Sequence, residues 1–355
     1  MGRLGPALLA VLVAFDAIQR QLHPPRLASL REALRPRAAR LDAALKETAT
    51  WASPAELADF AEALLASARH AARGTALFLG GQEDSAGAGS GIEGVMSALH
   101  AHCRAQASVF PLRAILPAFD RYFLEAESRR VPLAPVQAPG ARADVFNASN
   151  EPNQRGGFSL FVPEDYDEAK SWPLVVALHG GFGHGGDFLW TWLREARTRG
   201  WLLLAPTAQA NTWSMNGPDH DGPALESMLD YVEERWNVDA RCRLLTGLSD
   251  GGTYALLHGL REASRFTALA PVAGVLHPEN FNNGNLGRAA GRRIRWIHGA
   301  LDWMFPVQMA REGASVLEDA GADLDWVEIA DLSHAYPREQ NTSLLDWAQA
   351  GPESG

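Results

Sequence analysis

From about residue 144 onward, short apolar runs alternate with helical stretches, and this alternation constrains the fold more than any other feature of the chain. The runs are Phe158 to Val162, Leu174 to Leu178, Trp201 to Ala205, Arg243 to Thr246, Ala268 to Val272, Ile294 to His298 and Leu324 to Ile329. Strand, helix and strand repeated in this way argue for one mainly parallel sheet with helices on both faces. Of the 11 tryptophans all but Trp51 lie beyond residue 170, so the larger aromatic core belongs to this part.

Residues 1 to 130 follow a different period. Leu8, Leu12, Phe15, Ile18 and Leu22 recur at helical spacing. The run from Leu8 to Phe15 after Arg3 has the outline of a short signal peptide. Asp16 interrupts it and no small-x-small site follows, so it reads as an amphipathic helix. Ser53-Pro54-Ala55-Glu56 offers a cap, a first-turn proline and a capping-box Glu, and Leu57, Phe60 and Leu64 then mark an apolar face. Further amphipathic stretches run near 26 to 46, 92 to 104 and 111 to 128, with Pro36 and the Gly/Ser-rich 80 to 91 segment as breaks. From Val131 to Gly140 three prolines and no helical period predict an extended linker, taken as 131 to 143. The expected organisation is an all-helical N-terminal region, 1 to 130, the linker, and a catalytic domain from 144 to 355. The helical region could serve as a lid or build a homodimer contact.

The formal net charge of -10, without any Lys/Arg cluster, argues against nucleic acid or an anionic membrane surface as the main partner. No apolar run approaches the roughly 18 residues that span a bilayer, so a cytoplasmic location is expected. The two cysteines, Cys103 and Cys242, read as buried thiols and not as a disulfide framework.

The chemistry is concentrated after the strands. Gly247-Leu248-Ser249-Asp250-Gly251-Gly252 directly follows an apolar run and precedes a helical stretch. A serine on so sharp a strand-to-helix turn has its hydroxyl pushed out above the sheet, and the flanking glycines avoid collisions in the bend. The helix behind it favours developing negative charge. At the end of an earlier strand stands His179-Gly180-Gly181-Phe182-Gly183. Acyl transfer creates an oxyanion, and each N–H donor fixed in advance near it is worth about 3 to 4 kcal/mol. The N–H groups of Gly181 and Phe182 are the candidates, working with that of Asp250. In such a fold the acid and base follow the serine, each beyond a later strand. Asp302 comes just after the Ile294 to His298 run and His334 just after the Leu324 to Ile329 run. Serine's hydroxyl is a poor nucleophile at neutral pH. An imidazole relieves it of its proton, and a carboxylate fixes the ring tautomer.

Other residues are weaker candidates. His298 reads as a strand-end residue beneath the acid loop, and His277 lacks an Asp in the expected order. Asp219-His220-Asp221 is too short a cluster for a metal, and Asp221 more simply caps the helix entered at Gly222-Pro223. His100 and His102 lie two apart on a helix and face different ways. Gly89-x-Gly91-x-x-Gly94 follows a polar segment and not a strand, so no dinucleotide site is expected. Trp213 is a candidate wall of the substrate pocket, with core packing nearly as good a reading. Phe182 and Trp303 adjoin the catalytic loops, and Trp303 is the second substrate-binding candidate.

Taken together, His179-Gly180-Gly181, the Gly247 to Gly252 turn, Gly299-Ala300-Leu301-Asp302 and Ser333-His334 resemble the α/β-hydrolases. Within them the resemblance is to dienelactone hydrolase and phospholipase/carboxylesterase-like esterases, including polyester depolymerase-type relatives. It covers about 155 to 350. It implies an eight-stranded, mostly parallel sheet, no metal or organic cofactor, and hydrolysis of small-molecule esters with short or medium acyl groups. Two positions depart from the pattern: Asp250 stands where many relatives carry Met or another apolar residue, and Met304-Phe305 precedes Pro306 where a smaller residue is common. The triad alone leaves peptidase and thioesterase chemistry open. A non-catalytic binding protein on the same scaffold is the more distant alternative.

Overall fold

The computed structural model of the chain describes residues 2–48, 54–80, 90–125 and 144–351, with the backbone alone for 90–92. The chain divides into two compact units, Met1–Gln137 and Ala138–Gly355. The Pro-rich linker expected at 131 to 143, the Ser53 cap, and the Gly89 that opens the discarded fingerprint lie outside the described residues.

The first unit is helical: α1 (Leu4–Arg20), α2 (Leu27–Thr48), α3 (Ala58–Phe78), α4 (Ser90–Val109) and α5 (Pro117–Tyr122). α1 buries Leu4, Leu8, Val11, Leu12, Phe15 and Ile18, a stripe at three- and four-residue spacing. Each large aliphatic or aromatic side chain fully buried contributes about 1.5 to 3 kcal/mol. Phe15 also stacks on His102 at 5.1 Å, and the His102 Nε2 lies 3.1 Å from the Asp16 carboxylate.

Three expectations for this unit need correction. α2 runs straight through Pro36. Pro36 is exposed, so water can reach the carbonyl it leaves without a donor, while Leu30, Leu34, Ala38 and Leu41 continue the buried stripe. Leu57 is exposed: it belongs to the 3-10 turn Ala55–Leu57, and the helix proper begins one residue later. The buried face of α3 is made by Ala61, Leu64, Ala68, Ala71 and Phe78. The stretch 111 to 128 does not form one helix, because Pro117 forces Leu116 out of helical geometry (φ −110°, ψ 100°) between the 3-10 turn Phe110–Ala114 and α5.

The second unit is one eight-stranded sheet. In chain order its elements are β1 (Asp144–Ala148), β2 (Phe158–Val162), β3 (Trp172–Leu178), α6 (Gly185–Arg199), β4 (Leu202–Pro206), α7 (Asp221–Glu233), β5 (Val238–Leu248), α8 (Asp250–Gly259), β6 (Ala268–Val272), α9 (Glu279–Asn282), β7 (Arg293–Gly299), α10 (Val307–Asp319), β8 (Asp323–Ile329) and α11 (Asn341–Ala350). The spatial order is β1-β2-β4-β3-β5-β6-β7-β8. β1 and β2, and β2 and β4, pair antiparallel, whereas every pair from β4 onward is parallel. The eight-stranded, mostly parallel sheet implied by the resemblance is therefore present. Parallel strands need covering on both faces, and Leu202–Ala205 and Leu174–Leu178 are fully buried accordingly.

Trp192, Trp201 and Trp296 are fully buried, and their indole N–H groups have no partner among the described residues. An indole body removes about 150 to 250 Å² from water, worth about 4 to 6 kcal/mol, which exceeds the roughly 1 to 3 kcal/mol cost of the orphaned donor. Cys103 and Cys242 are buried thiols outside any disulfide, as the sequence predicts, and burial pushes the Cys242 thiol up to about 11. Among the described residues no helix is long and apolar enough to cross a membrane.

Candidate active site

Because the central strands are parallel, the loops that leave their carboxyl ends collect at one edge of the sheet. Four of those loops carry the residues singled out in the sequence. β3 ends at Leu178, β5 at Leu248, β7 at Gly299 and β8 at Ile329, and they are followed by His179, Ser249, Asp302 and His334.

Ser249 sits between β5 and α8 with φ 57° and ψ −119°, a left-handed conformation that costs about 1 to 3 kcal/mol in a non-glycine residue. The bend is held by its N–H donating to the Val272 carbonyl at 2.8 Å. Two glycines make it sterically feasible. A Cβ on Gly247 would stand 2.4 Å from the Gly251 backbone, and one on Gly251 would stand 2.4 Å from the Leu178 carbonyl oxygen. No side chain fits at either position.

His334 Nε2 lies 2.9 Å from Ser249 Oγ, and His334 Nδ1 lies 2.8 Å from Asp302 Oδ2. A carboxylate can only accept, so Nδ1 carries the ring proton and Nε2 is left as the acceptor for the serine hydroxyl. The carboxylate is itself aimed: its Oδ1 accepts the N–H groups of Met304 at 2.9 Å and Phe305 at 2.8 Å, leaving Oδ2 for the imidazole. The acid and histidine loops are tied together by Leu301 N–H donating to the Leu332 carbonyl at 2.9 Å. The Phe305 ring meets the His334 ring edge-on at 5.5 Å. Thus Ser249 and Asp302, 85 and 32 residues from His334 along the chain, are brought with it into one hydrogen-bonded series.

The glycine loop lies beside the serine turn, since a Cβ on Gly180 would be 3.5 Å from the Ser249 Cβ and one on Gly181 would be 2.7 Å from the Asp250 carboxylate. Asp250 opens α8, so its N–H has no acceptor one turn back in the helix. Among the described residues, the N–H groups of Gly181 and Asp250 have no hydrogen-bond partner. Phe182 is different. Its N–H donates to the Asn211 carbonyl at 2.6 Å, with φ 58° and the ring 75% exposed, so this donor is committed away from the serine. Its candidacy as an oxyanion donor is corrected on that ground.

Trp213 is also corrected as a pocket wall. It is 3% exposed and packs in the main core, stacked on Tyr254 and beside His179, with its indole N–H donating to the His179 carbonyl at 2.7 Å. It props the glycine loop from beneath. Trp303 is 46% exposed next to Asp302, and Leu301 and Met304 are exposed with it.

His298 lies at the end of β7, fully buried, with Nε2 2.8 Å from the Phe305 carbonyl and 3.5 Å from Asp302 Oδ2. It therefore lies under the acid loop as read from the sequence. Burial lowers its pKa. Asp219 and Asp221 are bound up in structure: Asp219 accepts from Tyr254 Oη at 2.8 Å and from Arg261, and Asp221 accepts from Gln209 N–H and from Ser214. The cap of α7 falls to Asp219, which takes the Gly222 N–H at 2.9 Å, and not to Asp221. Among the described residues no group of three or more His, Cys, Asp or Glu could hold a metal ion.

Sequence reasoning left His179 without a role. Its Nδ1 meets the Gly180 carbonyl at 2.7 Å while its Nε2 accepts the Ala208 N–H at 3.0 Å, so the ring proton is on Nδ1 and the imidazole stitches the glycine loop to the loop after β4. The signal available was a polar residue fused to the end of a fully apolar strand. Arg155, which reaches the same loops, carried no signal at all.

No family model matches the chain. It is similar to a probable feruloyl esterase C of Aspergillus terreus, 27% identical over 124 residues, covering 33% of this chain and 46% of that protein. A probable feruloyl esterase C of Aspergillus niger is 27% identical over 142 residues, 38% of this chain and 52% of that one. The bifunctional acetylxylan esterase/xylanase XynS20E of Neocallimastix patriciarum is 24% identical over 201 residues, 55% of this chain and 28% of that one. The chain thus spans about half the length of the two feruloyl esterases it matches. Among solved structures, a thermostable esterase superposes with a TM-score of 0.49 at 21% identity, over 58% of this chain and 62% of that one. A ferulic acid esterase does so with a TM-score of 0.47 at 17% identity, over 58% and 96%. The strand order, the serine turn after β5 and the sequence relatives agree: the second unit has the α/β-hydrolase fold.

Proposed function

We propose that this chain hydrolyses carboxylic esters through an acyl-enzyme on Ser249. The observation that carries the reading is the series Asp302, His334, Ser249, at 2.8 and 2.9 Å, on the carboxyl edge of the sheet. As Ser249 Oγ attacks the ester carbonyl carbon, its proton passes to His334 Nε2. The carbonyl oxygen becomes an oxyanion facing the N–H groups of Gly181 and Asp250. Asp302 stabilises the imidazolium through Nδ1. When the tetrahedral species collapses, the bond to the alcohol oxygen breaks and His334 returns its proton to that oxygen. Water then repeats the sequence on the acyl-serine, with His334 taking its proton, and the acid leaves as Ser249 recovers its own. No metal or organic cofactor is needed for any of these steps.

The feruloyl esterases among the relatives make feruloyl esters the first acyl class to test on this chain. Phe182 in the glycine loop and Trp303 in the acid loop offer exposed aromatic faces that a planar acid could stack on. The helical unit is proposed as a lid or a homodimer contact.

A fluorophosphonate probe applied to the full chain tests the reading. The expected result is one equivalent of label on Ser249, absent from Ser249→Ala, together with turnover of a p-nitrophenyl ester that is lost in the same variant. An unlabelled Ser249 in folded wild-type protein would overturn it.

A further inference from the structure

Arg155 lies in the loop that joins β1 to β2, half-buried, and its guanidinium is spent entirely on backbone carbonyls of two other loops. Nη1 donates to the Gly183 carbonyl at 2.6 Å, Nε to the Ala208 carbonyl at 3.0 Å, and Nη2 to the Ala210 carbonyl. Gly183 closes the glycine loop that carries the proposed oxyanion donor. Ala208 and Ala210 belong to the loop after β4, and that loop makes two further contacts with the glycine loop and one with the serine turn. The Asn211 carbonyl accepts the Phe182 N–H at 2.6 Å, the Ala208 N–H donates to His179 Nε2 at 3.0 Å, and Thr212 Oγ1 donates to the Asp250 carboxylate at 2.5 Å.

These contacts share a physical logic. Three carbonyl oxygens converge on one spot, each carrying partial negative charge, and their mutual repulsion would spread the two loops apart. A guanidinium answers all three at once, because its five N–H donors lie in a rigid planar fork. Gly181 stands two residues from the Gly183 carbonyl, between it and the strand end fixed by His179. The direction of its N–H is therefore set by where the fork holds Gly183. Gly183 N–H donating to the Gly180 carbonyl at 3.0 Å closes the turn around it.

We infer that Arg155 is a positioning residue, which aims the Gly181 N–H at the oxyanion by clamping the glycine loop to the loop after β4; this rests on the acyl-transfer reading above. Arg155 touches no reacting atom, so its loss should weaken the transition state and not the binding of substrate. A misplacement of about 1 Å in a catalytic group can cost about a hundredfold in rate.

The test compares full-length wild type, Arg155→Ala and Arg155→Lys on a p-nitrophenyl ester, with rates expressed per Ser249 titrated by fluorophosphonate so that misfolded protein does not count. In R155A, kcat per titrated site should fall about 10- to 100-fold with KM changed less than about threefold. In R155K, a point charge without the fork, the fall should be intermediate. Free guanidinium ion at a concentration too low to denature should restore part of the R155A rate and leave wild type unmoved. If R155A does not fold, R155K decides alone. Wild-type kcat per titrated site, within twofold, in the variants that fold overturns the role of Arg155. A wild-type chain that takes no label at Ser249 overturns the acyl-transfer reading and this inference with it.

Discussion

The two units of this chain bury polar groups in very different ways. In the helical unit the buried face is a stripe of Leu, Ala and Phe, and the buried polar side chains, such as Ser67, Thr75 and Gln106, are scattered along it. Ser67 and Thr75 simply return their hydroxyls to backbone carbonyls. In the sheet unit, His179, Thr207, Ser249, His298, Asp302 and Ser333 are all buried and all follow or end the strands at one edge. Burying a polar group without a partner costs about 1 to 3 kcal/mol, so a concentration of them is tolerated only where a network satisfies them. The helical unit spends its side chains on packing; the sheet unit gathers part of its own at the edge where the proposed acyl transfer would run.

That contrast predicts which substitutions move rate and which move stability. The largest effect should come from Asp302→Asn, which keeps the shape of the acid but can donate to His334 Nδ1 and so reverse the ring tautomer. The expected loss in kcat is about 10⁴-fold. Steady-state kinetics read beside a thermal melt should show that loss with little change in melting temperature. A matching loss of stability would mean that the carboxylate is chiefly a packing element. The opposite pattern is expected in the helical unit. Phe15→Ala removes a fully buried ring and should lower the stability of that unit by about 3 to 5 kcal/mol, with kcat per labelled Ser249 changed less than about twofold. Urea unfolding followed by circular dichroism, alongside active-site titration, would show whether stability and rate separate in this way.

The smallest effect sharpens the comparison inside the sheet unit. Burial lowers the pKa of His298, and likewise that of His184, so the fold keeps these rings neutral while the unfolded chain takes up protons below about 6.5. The unfolded state then binds more protons than the native state, and stability is lost as the pH falls from about 6.5 toward the folded pKa. His298→Asn retains a donor for the Phe305 carbonyl and cannot titrate. Between pH 7.5 and 5.5 the wild-type melting temperature should drop more than that of H298N, the direction set by the lowered pKa of the buried ring. Equal slopes would show that His298 contributes nothing to acid sensitivity.

Legibility followed the same division. Seven strands of the second unit announced themselves as apolar runs: β2, β4 and β6 bury every residue, and β8, half-buried after Asp323, still carries Leu324, Trp326, Val327 and Ile329. β1 did not, since Asp144 and Asn147 are exposed on an edge strand and its remaining residues are half-buried or exposed. β5 extended further back than its apolar run, because Ala240 and Arg241 near its start are exposed and the polar Asp239 beside them is only half-buried. Ser249, Asp302 and His334 could be found because each sits at a fixed place relative to a strand end. Phe182 was misread because the direction of a backbone N–H depends on a left-handed φ that residue types do not disclose. Trp213 was a near-even choice between wall and core, and its contacts resolve it as core. Arg155 binds carbonyls, and every residue has one, so nothing in the sequence could name its partners.

The state of the two thiols has a practical consequence. Both are sequestered, and Cys242 has been pushed to a pKa at which almost none of it is thiolate near neutrality, so native protein should react sluggishly with maleimides and iodoacetamide. A cysteine introduced at an exposed site in either unit would then take a spin label or a dye nearly alone. Pairs of such labels, one per unit, would give interprobe distances in solution with and without an acylated Ser249, and no native cysteine need be removed first.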